Sequence, residues 1–209
     1  VWPLHKTLMK GVLNQHDSRP GGAWSPQGQD ANSGGIWAPV RLHLSRGATI
    51  DEIILRPDWT QGLEKPALQA EIRYRAIEGG NTTLRLTAVP ANFNGQRFQQ
   101  TFPVTLEKTD GSARTLKVTL PMNAAKLWWP KGYGQPHLYQ VRATLTDNQG
   151  LMDTAVTRTG LRKMEEQPDN KGWLINDKRI FIKGSNYIGS PWLSTMTREK
   201  YRRDFRLVE

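Results

Sequence analysis

The sequence predicts an all-β protein built around an immunoglobulin-like, seven-stranded β-sandwich. Two observations carry this reading. Residues 47–162 alternate apolar and polar side chains in repeated short runs, and turn-forming residues separate those runs at sandwich spacing. The 209-residue chain also contains no cysteine. An inter-sheet disulfide is therefore excluded, and core packing alone must hold the two sheets together.

The strands follow in order. Ile50 to Leu55 forms a short strand closed by Arg56-Pro57. Leu68, Ala70, Ile72, Tyr74 and Ala76 face one way, with Gln69, Glu71, Arg73 and Arg75 opposite, and Glu78-Gly79-Gly80-Asn81 makes a hairpin turn to the next strand. Leu84, Leu86 and Ala88 form a second inward set, stopped at Pro90. Phe102, Val104 and Leu106 alternate before the Asp110-Gly111 turn, and Leu116, Val118 and Leu120 before Pro121. Tyr139, Val141, Ala143 and Leu145 precede the turn Asp147-Asn148-Gln149-Gly150. A seventh strand runs from about Met152 to Arg162.

The flanks differ in character. Residues 1–46 are rich in Gly, Pro, Asn and Trp and read as a long loop feeding a strand. In residues 163–209, Gly172–Ile175 and Arg179–Ile182 flank Asn176-Asp177-Lys178 as a hairpin, and Lys183–Ile188 continues from its second strand. Thr197 reads as the N-cap of a closing helix, without a capping box because Lys200 occupies the third helical position. Tyr201, Phe205 and Val208 recur at helical spacing. Strand, loop and helix open a β/α unit, and one such unit cannot close a barrel. The expectation is a fragment of a longer protein.

Charge narrows the partners. Lys and Arg number 29 against 19 Asp and Glu, a formal net of +10, and the pI is near 10.0. The excess is spread as +3, +4 and +3 over residues 1–46, 47–162 and 163–209, without the clustering of a phosphate-binding face. Only Arg198-Lys200-Arg202-Arg203-Arg206 is dense, and on a helix it wraps the cylinder and interleaves with Glu199 and Asp204. No nucleic acid or membrane partner is expected, since no apolar run approaches the roughly 20 residues of a membrane span.

Catalytic signals are sparse. His5, His16, His43 and His137 show no ligand spacing, so no metal is expected, and no cofactor fingerprint occurs. Glu165 and Glu166 are neighbours whose side chains diverge in an extended segment, unlike a facing acid/base pair. The 8 tryptophans are more suggestive, because an indole face stacks on a sugar ring. Trp128, Trp129, Trp59 and Trp173 read as packing residues. Trp192 follows the expected barrel strand, where barrel active sites form. Pro130 excludes a central strand around Trp128-Trp129, so that pair is expected in a loop cementing a neighbouring domain, with Gly132 and Gly134 turning the chain back.

Several segments together resemble glycoside hydrolase family 2, specifically its β-mannosidase-like and exo-β-glucosaminidase-like members. Leu127-Trp128-Trp129-Pro130-Lys131-Gly132-Tyr133-Gly134-Gln135-Pro136-His137-Leu138-Tyr139 is similar to the family's long tryptophan signature. Thr159-Gly160-Leu161-Arg162 resembles the end of its immunoglobulin-like domain, and Ile175 to Ile188 the opening of its catalytic barrel. Gly34-Gly35-Ile36-Trp37-Ala38-Pro39-Val40 is similar to the end of its sugar-binding jelly roll. The resemblance implies a jelly-roll tail over 1–46, the sandwich over 47–162 and the truncated first hairpin, strand and helix of a (β/α)8 barrel over 163–209. Catalysis in the family is retaining and uses two glutamates from later barrel strands. No residue here matches either, so no catalytic residue is carried over. Asn186, Tyr187 and Trp192 are the implied substrate contacts, a β-glycoside the implied partner, and the remaining jelly-roll and barrel domains the implied neighbours. Asp177 departs from the usual hairpin Gly, and Gly189-Ser190-Pro191 from the mannosidase-like pattern. The expected function is that of a non-catalytic central fragment, inactive alone. The alternatives are a stand-alone carbohydrate-binding module and a basic nucleic-acid-binding protein. The missing cysteine and high pI fit a periplasmic or secreted enzyme.

Overall fold

The structure is a computed structural model that describes residues 39–168, 172–187 and 196–208. The readings placed on residues 1–38, on Ile188 and on Trp192 lie outside the described residues. The described chain divides into a unit spanning His43–Ile182 and a second unit containing residues 39–42, 183–187 and 196–208.

The first unit is an antiparallel sandwich. Its strands are β1 (Ala48–Asp58), β2 (Ala67–Ala76), β3 (Gly80–Pro90), β4 (Phe98–Leu106), β5 (Arg114–Pro121), β6 (Tyr139–Asp147) and β7 (Gly150–Thr159). One sheet has the order β1-β2-β5 and the other β4-β3-β6-β7. The short strands β8 (Met164–Glu166), β9 (Trp173–Ile175) and β10 (Lys178–Ile180) form a separate three-stranded sheet, ordered β10-β9-β8. All seven predicted sandwich strands are present, but Glu78-Gly79-Gly80-Asn81 does not close a hairpin: β2 pairs with β1 and β5 and β3 with β4 and β6, so this turn carries the chain from one sheet to the other.

Period-two patterning explains the core. Leu68, Ala70, Ile72, Tyr74 and Ala76 of β2 are buried against Leu84, Leu86 and Ala88 of β3 and Val141, Ala143 and Leu145 of β6. Tyr139 is fully buried, and its phenolic oxygen accepts the Lys126 backbone N–H at 2.9 Å. Burial pushes this phenol above its ordinary range, and the hydrogen bond partly offsets that shift.

The structure departs from the strand boundaries in informative places. β4 begins at Phe98 because that ring is buried against Tyr139, with centroids 6.0 Å apart. β7 ends at Thr159 rather than Arg162 because Leu161 leaves the ladder to accept the Trp128 backbone N–H at 2.8 Å. β7 also reverses its apparent hydropathy. Leu151 and Val156 are exposed, whereas Asp153 is 4% exposed and points inward. A register shift between Leu145 and Thr146 of β6 causes this, since Thr146 pairs with Leu151 but Leu145 pairs with Asp153, leaving Met152 as the extra residue.

Asp153 ties the two sheets together. Its carboxylate accepts the Ile50 backbone N–H of β1 at 2.7 Å, its own neighbour's Thr154 N–H at 2.8 Å and His43 Nε2 at 2.8 Å. Ile50 lies where the β1–β2 register shifts, so its donor points away from the regular ladder toward Asp153. Nearby, the Arg46 guanidinium grips Asp147 and holds that carboxyl below its usual range.

The second unit contains the helix α1 (Arg198–Leu207). Thr197 caps it as expected, accepting the Lys200 N–H. Residues 181–187 carry no regular secondary structure, so the continued strand expected over Lys183–Ile188 is not formed across its described part. Within its own unit no strand is described that could supply ladder partners. No described helix is long and apolar enough to cross a membrane.

Candidate functional site

Two places hold the candidate residues: the tryptophan loop at one end of the sandwich and the segment before α1. The loop is a closed turn rather than a strand. Trp128 bridges Pro136, Trp129 N–H donates to Gln135 O at 3.1 Å, and Tyr133 N–H donates to Pro130 O at 3.1 Å. His137 is structural. Its Nδ1 lies 3.1 Å from Leu127 O and its ring stands edge-on to Phe93, centroids 4.5 Å apart. Asn92 closes the base, donating to Pro136 O and accepting the Leu138 N–H, both at 2.8 Å.

The loop needs two close approaches that only glycine allows. A Cβ on Gly134 would sit 2.7 Å from Trp129 Cγ, and a Cβ on Gly160 would sit 2.9 Å from Trp128 Cβ, Cγ and Cδ1. Trp128 thus lies flat on the backbone where the sandwich chain exits. Arg162 covers the indole, its guanidinium carbon 4.9 Å from the ring. The indole contacts described here all fall within His43–Ile182.

Asn176 joins this loop to the hairpin β9–β10. Asn176 and Asp177 both adopt positive φ, 51° and 64°, as a two-residue type I′ turn requires, and Asn and Asp tolerate that conformation best after glycine. This explains how Asp177 replaces the usual glycine. Asn176 is buried, 6% exposed, and both its side-chain oxygen and its amide nitrogen are hydrogen-bonded. Its oxygen accepts the Lys163 N–H at 2.9 Å, and its amide donates to Trp128 O at 3.0 Å. Its backbone N–H donates to Lys163 O at 2.9 Å. Lys163 in turn pairs with Asp177 and Glu165, whose hydrogen bonds raise the lysine pKa. Tyr133 completes the contact, its hydroxyl accepting the Phe181 N–H at 3.3 Å. Loop, sandwich exit and hairpin are therefore one hydrogen-bonded clasp. In the sequence Asn176 is visible only as a turn residue.

Of the predicted sugar contacts, Asn186 and Tyr187 fall in the second unit and Trp192 outside the described residues. Asn186 is exposed. Tyr187 packs on α1, its ring 5.2 Å from Phe205 and 6.1 Å from Tyr201, centroid to centroid. Its O–H donates to Asp204 Oδ2 at 2.6 Å. That hydrogen bond, with desolvation second, pushes the Tyr187 phenol up to about 12 and draws the Asp204 carboxyl down. The raised phenol favours the folded state below the unfolded value of about 10, and this contribution is lost as pH rises toward 12. In an NMR titration with ring-labelled tyrosine, Tyr187 is expected to ionise near 12, and Asp204→Asn to bring it back toward about 10. Ionisation of Tyr187 near 10 in the unaltered chain would show the contact is not made in solution. Among the described residues no group of three or more His, Asp or Glu gathers in metal-holding geometry.

The described residues of this unit thus form a two-sheet sandwich, closed by a tryptophan clasp and followed by a hairpin. The profile of glycosyl hydrolases family 2 matches residues 48–162, and the chain belongs to that family. It is 29% identical over 183 residues to beta-mannosidase B of Aspergillus clavatus, covering 83% of this chain and 20% of that protein. It is 26% identical over 197 residues to the mannosylglycoprotein endo-beta-mannosidase of Lilium longiflorum, covering 88% and 20%. Among solved structures, the beta-D-mannosidase of Dictyoglomus thermophilum superposes with a TM-score of 0.61 at 26% identity, over 75% of this chain and 19% of that one. The chain thus spans about a fifth of the length of the curated relatives it matches.

Proposed function

We propose that this chain is the non-catalytic central part of a retaining glycoside hydrolase that cleaves β-linked glycans, β-mannosides first among them. The observation that carries this is the family match over the whole sandwich, joined to relatives whose remaining length lies outside the matched region. On this reading residues 1–46 end a sugar-binding jelly roll, 47–162 form the spacer sandwich, and 163–209 open the catalytic barrel. The clasp around Asn176 sets the direction in which the chain leaves the sandwich. Asn186, Tyr187 and Trp192 contact the sugar, while the catalytic glutamates come from barrel strands outside these residues. A sugar hydroxyl reaching Tyr187 has to share a phenol already donating to Asp204.

The test is an assay of the parent enzyme and of this chain side by side, on aryl β-mannoside, β-glucosaminide, β-galactoside and β-glucuronide. The parent is expected to hydrolyse at least one with retained anomeric configuration, and the 209-residue chain none. In the parent, Asn186→Ala is expected to lower kcat/KM roughly tenfold or more through a lost hydrogen bond to substrate. Hydrolysis by the chain alone, or unchanged kcat/KM in that variant, overturns the corresponding part of the reading.

A further inference from the structure

The two sheets treat their outward arginines differently. On the β1-β2-β5 sheet they are neutralised in place. Arg56 meets Glu71 at 2.8 Å, Arg73 meets Glu52 at 3.0 Å and Arg75 meets Asp51 at 2.8 Å. On the β4-β3-β6-β7 sheet, the outward arginines Arg85, Arg142 and Arg158 are exposed and make no ion pair among the described residues. No Asp or Glu stands at an outward position of those four strands. Asp147, at the end of β6, is taken up by Arg46, and Asp153 points inward.

Register places these three arginines on one line. Arg85 pairs with Thr144 and Thr87 with Arg142, so Arg142 is the diagonal neighbour of Arg85. Arg142 pairs with Val156 and Gln140 with Arg158, so the diagonal continues across β7. Each step is about 7–8 Å. A groove of about 650 Å³ runs over this face, its lining including Arg85, Arg97, Arg142, Gln140, Thr144 and Thr154, with Arg158 at the next diagonal position just outside that lining. Its hydroxyls and amide offer hydrogen bonds between the charges. No aromatic ring stands at an outward position, since Phe98, Phe102 and Tyr139 all face the core, so the platform on which sugar rings stack is missing.

We propose that this face docks an extended acidic protein segment, carrying Asp or Glu at alternate positions so that successive carboxylates meet successive arginines. Side chains on one side of an extended chain recur every ~6.6–7 Å, close to the step of the arginine diagonal. Arginine suits this role because its planar fork takes a carboxylate in two parallel hydrogen bonds.

The experiment measures anisotropy of a fluorescent peptide of alternating Glu and Thr, twelve residues long by design, titrated with the 209-residue chain at low and at higher salt. A peptide of the same composition with its glutamates in one block, and an oligogalacturonate, serve as competitors. Saturable binding that weakens with salt is expected, with roughly tenfold loss in Arg142→Glu and less than about twofold change in Arg73→Glu on the opposite sheet. Arg142→Gln, expected to melt like the unaltered chain, guards against a folding artefact and is also expected to bind more weakly. Equal loss in Arg73→Glu, no saturable binding, equal affinity for the blocked peptide, or tighter binding of the oligogalacturonate would each overturn the proposal.

Discussion

Replacing Asp153 with alanine is expected to destabilise the sandwich by about 3 kcal/mol. The carboxylate is 4% exposed and accepts two backbone N–H groups, one of them from a strand of the other sheet. Removing it leaves the Ile50 N–H buried without a partner, which is costlier than the simple loss of a hydrogen bond. Asp153→Asn keeps one acceptor oxygen and is expected to cost about half as much. His43→Ala is expected to cost less than about 1 kcal/mol, because the imidazole is half exposed and solvent replaces it. Urea unfolding at neutral pH measures all three. A cost under 1 kcal/mol for Asp153→Ala would mean that the inward carboxylate is not what ties β1 to β7.

The second large effect lies in the clasp. Trp128→Ala is expected to cost about 3 kcal/mol, since the indole packs on Gly160 and under Arg162. Gly160→Ala is expected to cost about 2 kcal/mol in the unaltered background, because the new Cβ would sit 2.9 Å from three atoms of Trp128. The two costs are not additive. With Trp128 already reduced to alanine, Cγ and Cδ1 are gone and only Cβ stays 2.9 Å away, so Gly160→Ala is expected to cost clearly less than in the unaltered background. A double-mutant cycle by urea unfolding reads the difference. Additive costs would place the strain somewhere other than the Trp128–Gly160 contact.

The strands were legible because each buries one face, and a buried face writes itself as alternation. The five inward residues of β2, from Leu68 to Ala76, are the clearest case. β7 was legible as a strand but not in its facing. One extra residue, Met152, inverts the pattern around it, and a bulge leaves no local mark in composition. Asp153 was invisible for the same reason, since a charged residue in an alternating run reads as outward. The hairpin was readable from Asn176-Asp177, a pair that accepts the positive φ of its turn. The wider role of Asn176 was not, because its partner Trp128 lies 48 positions away. Tyr187 was singled out by a resemblance, and its bond to Asp204 depends on a helix 17 positions later. Size and apolarity mark Trp128 and Trp129 as packing residues, but the glycines that admit them, Gly160 and Gly134, become meaningful only once the loop has folded back on them.

The central claim is that tryptophan loop, sandwich exit and hairpin open and close as one body. Amide hydrogen exchange in the 209-residue chain tests it most directly. The N–H groups of Trp128, Lys163 and Asn176 are held by Leu161 O, Asn176 Oδ1 and Lys163 O respectively. The expected result is a single opening free energy shared by the three amides, falling by the same amount at all three in Trp128→Ala. Asn176 and Lys163 retaining their protection while Trp128→Ala frees the amide at position 128 would contradict it, and would leave the hairpin independent of the loop.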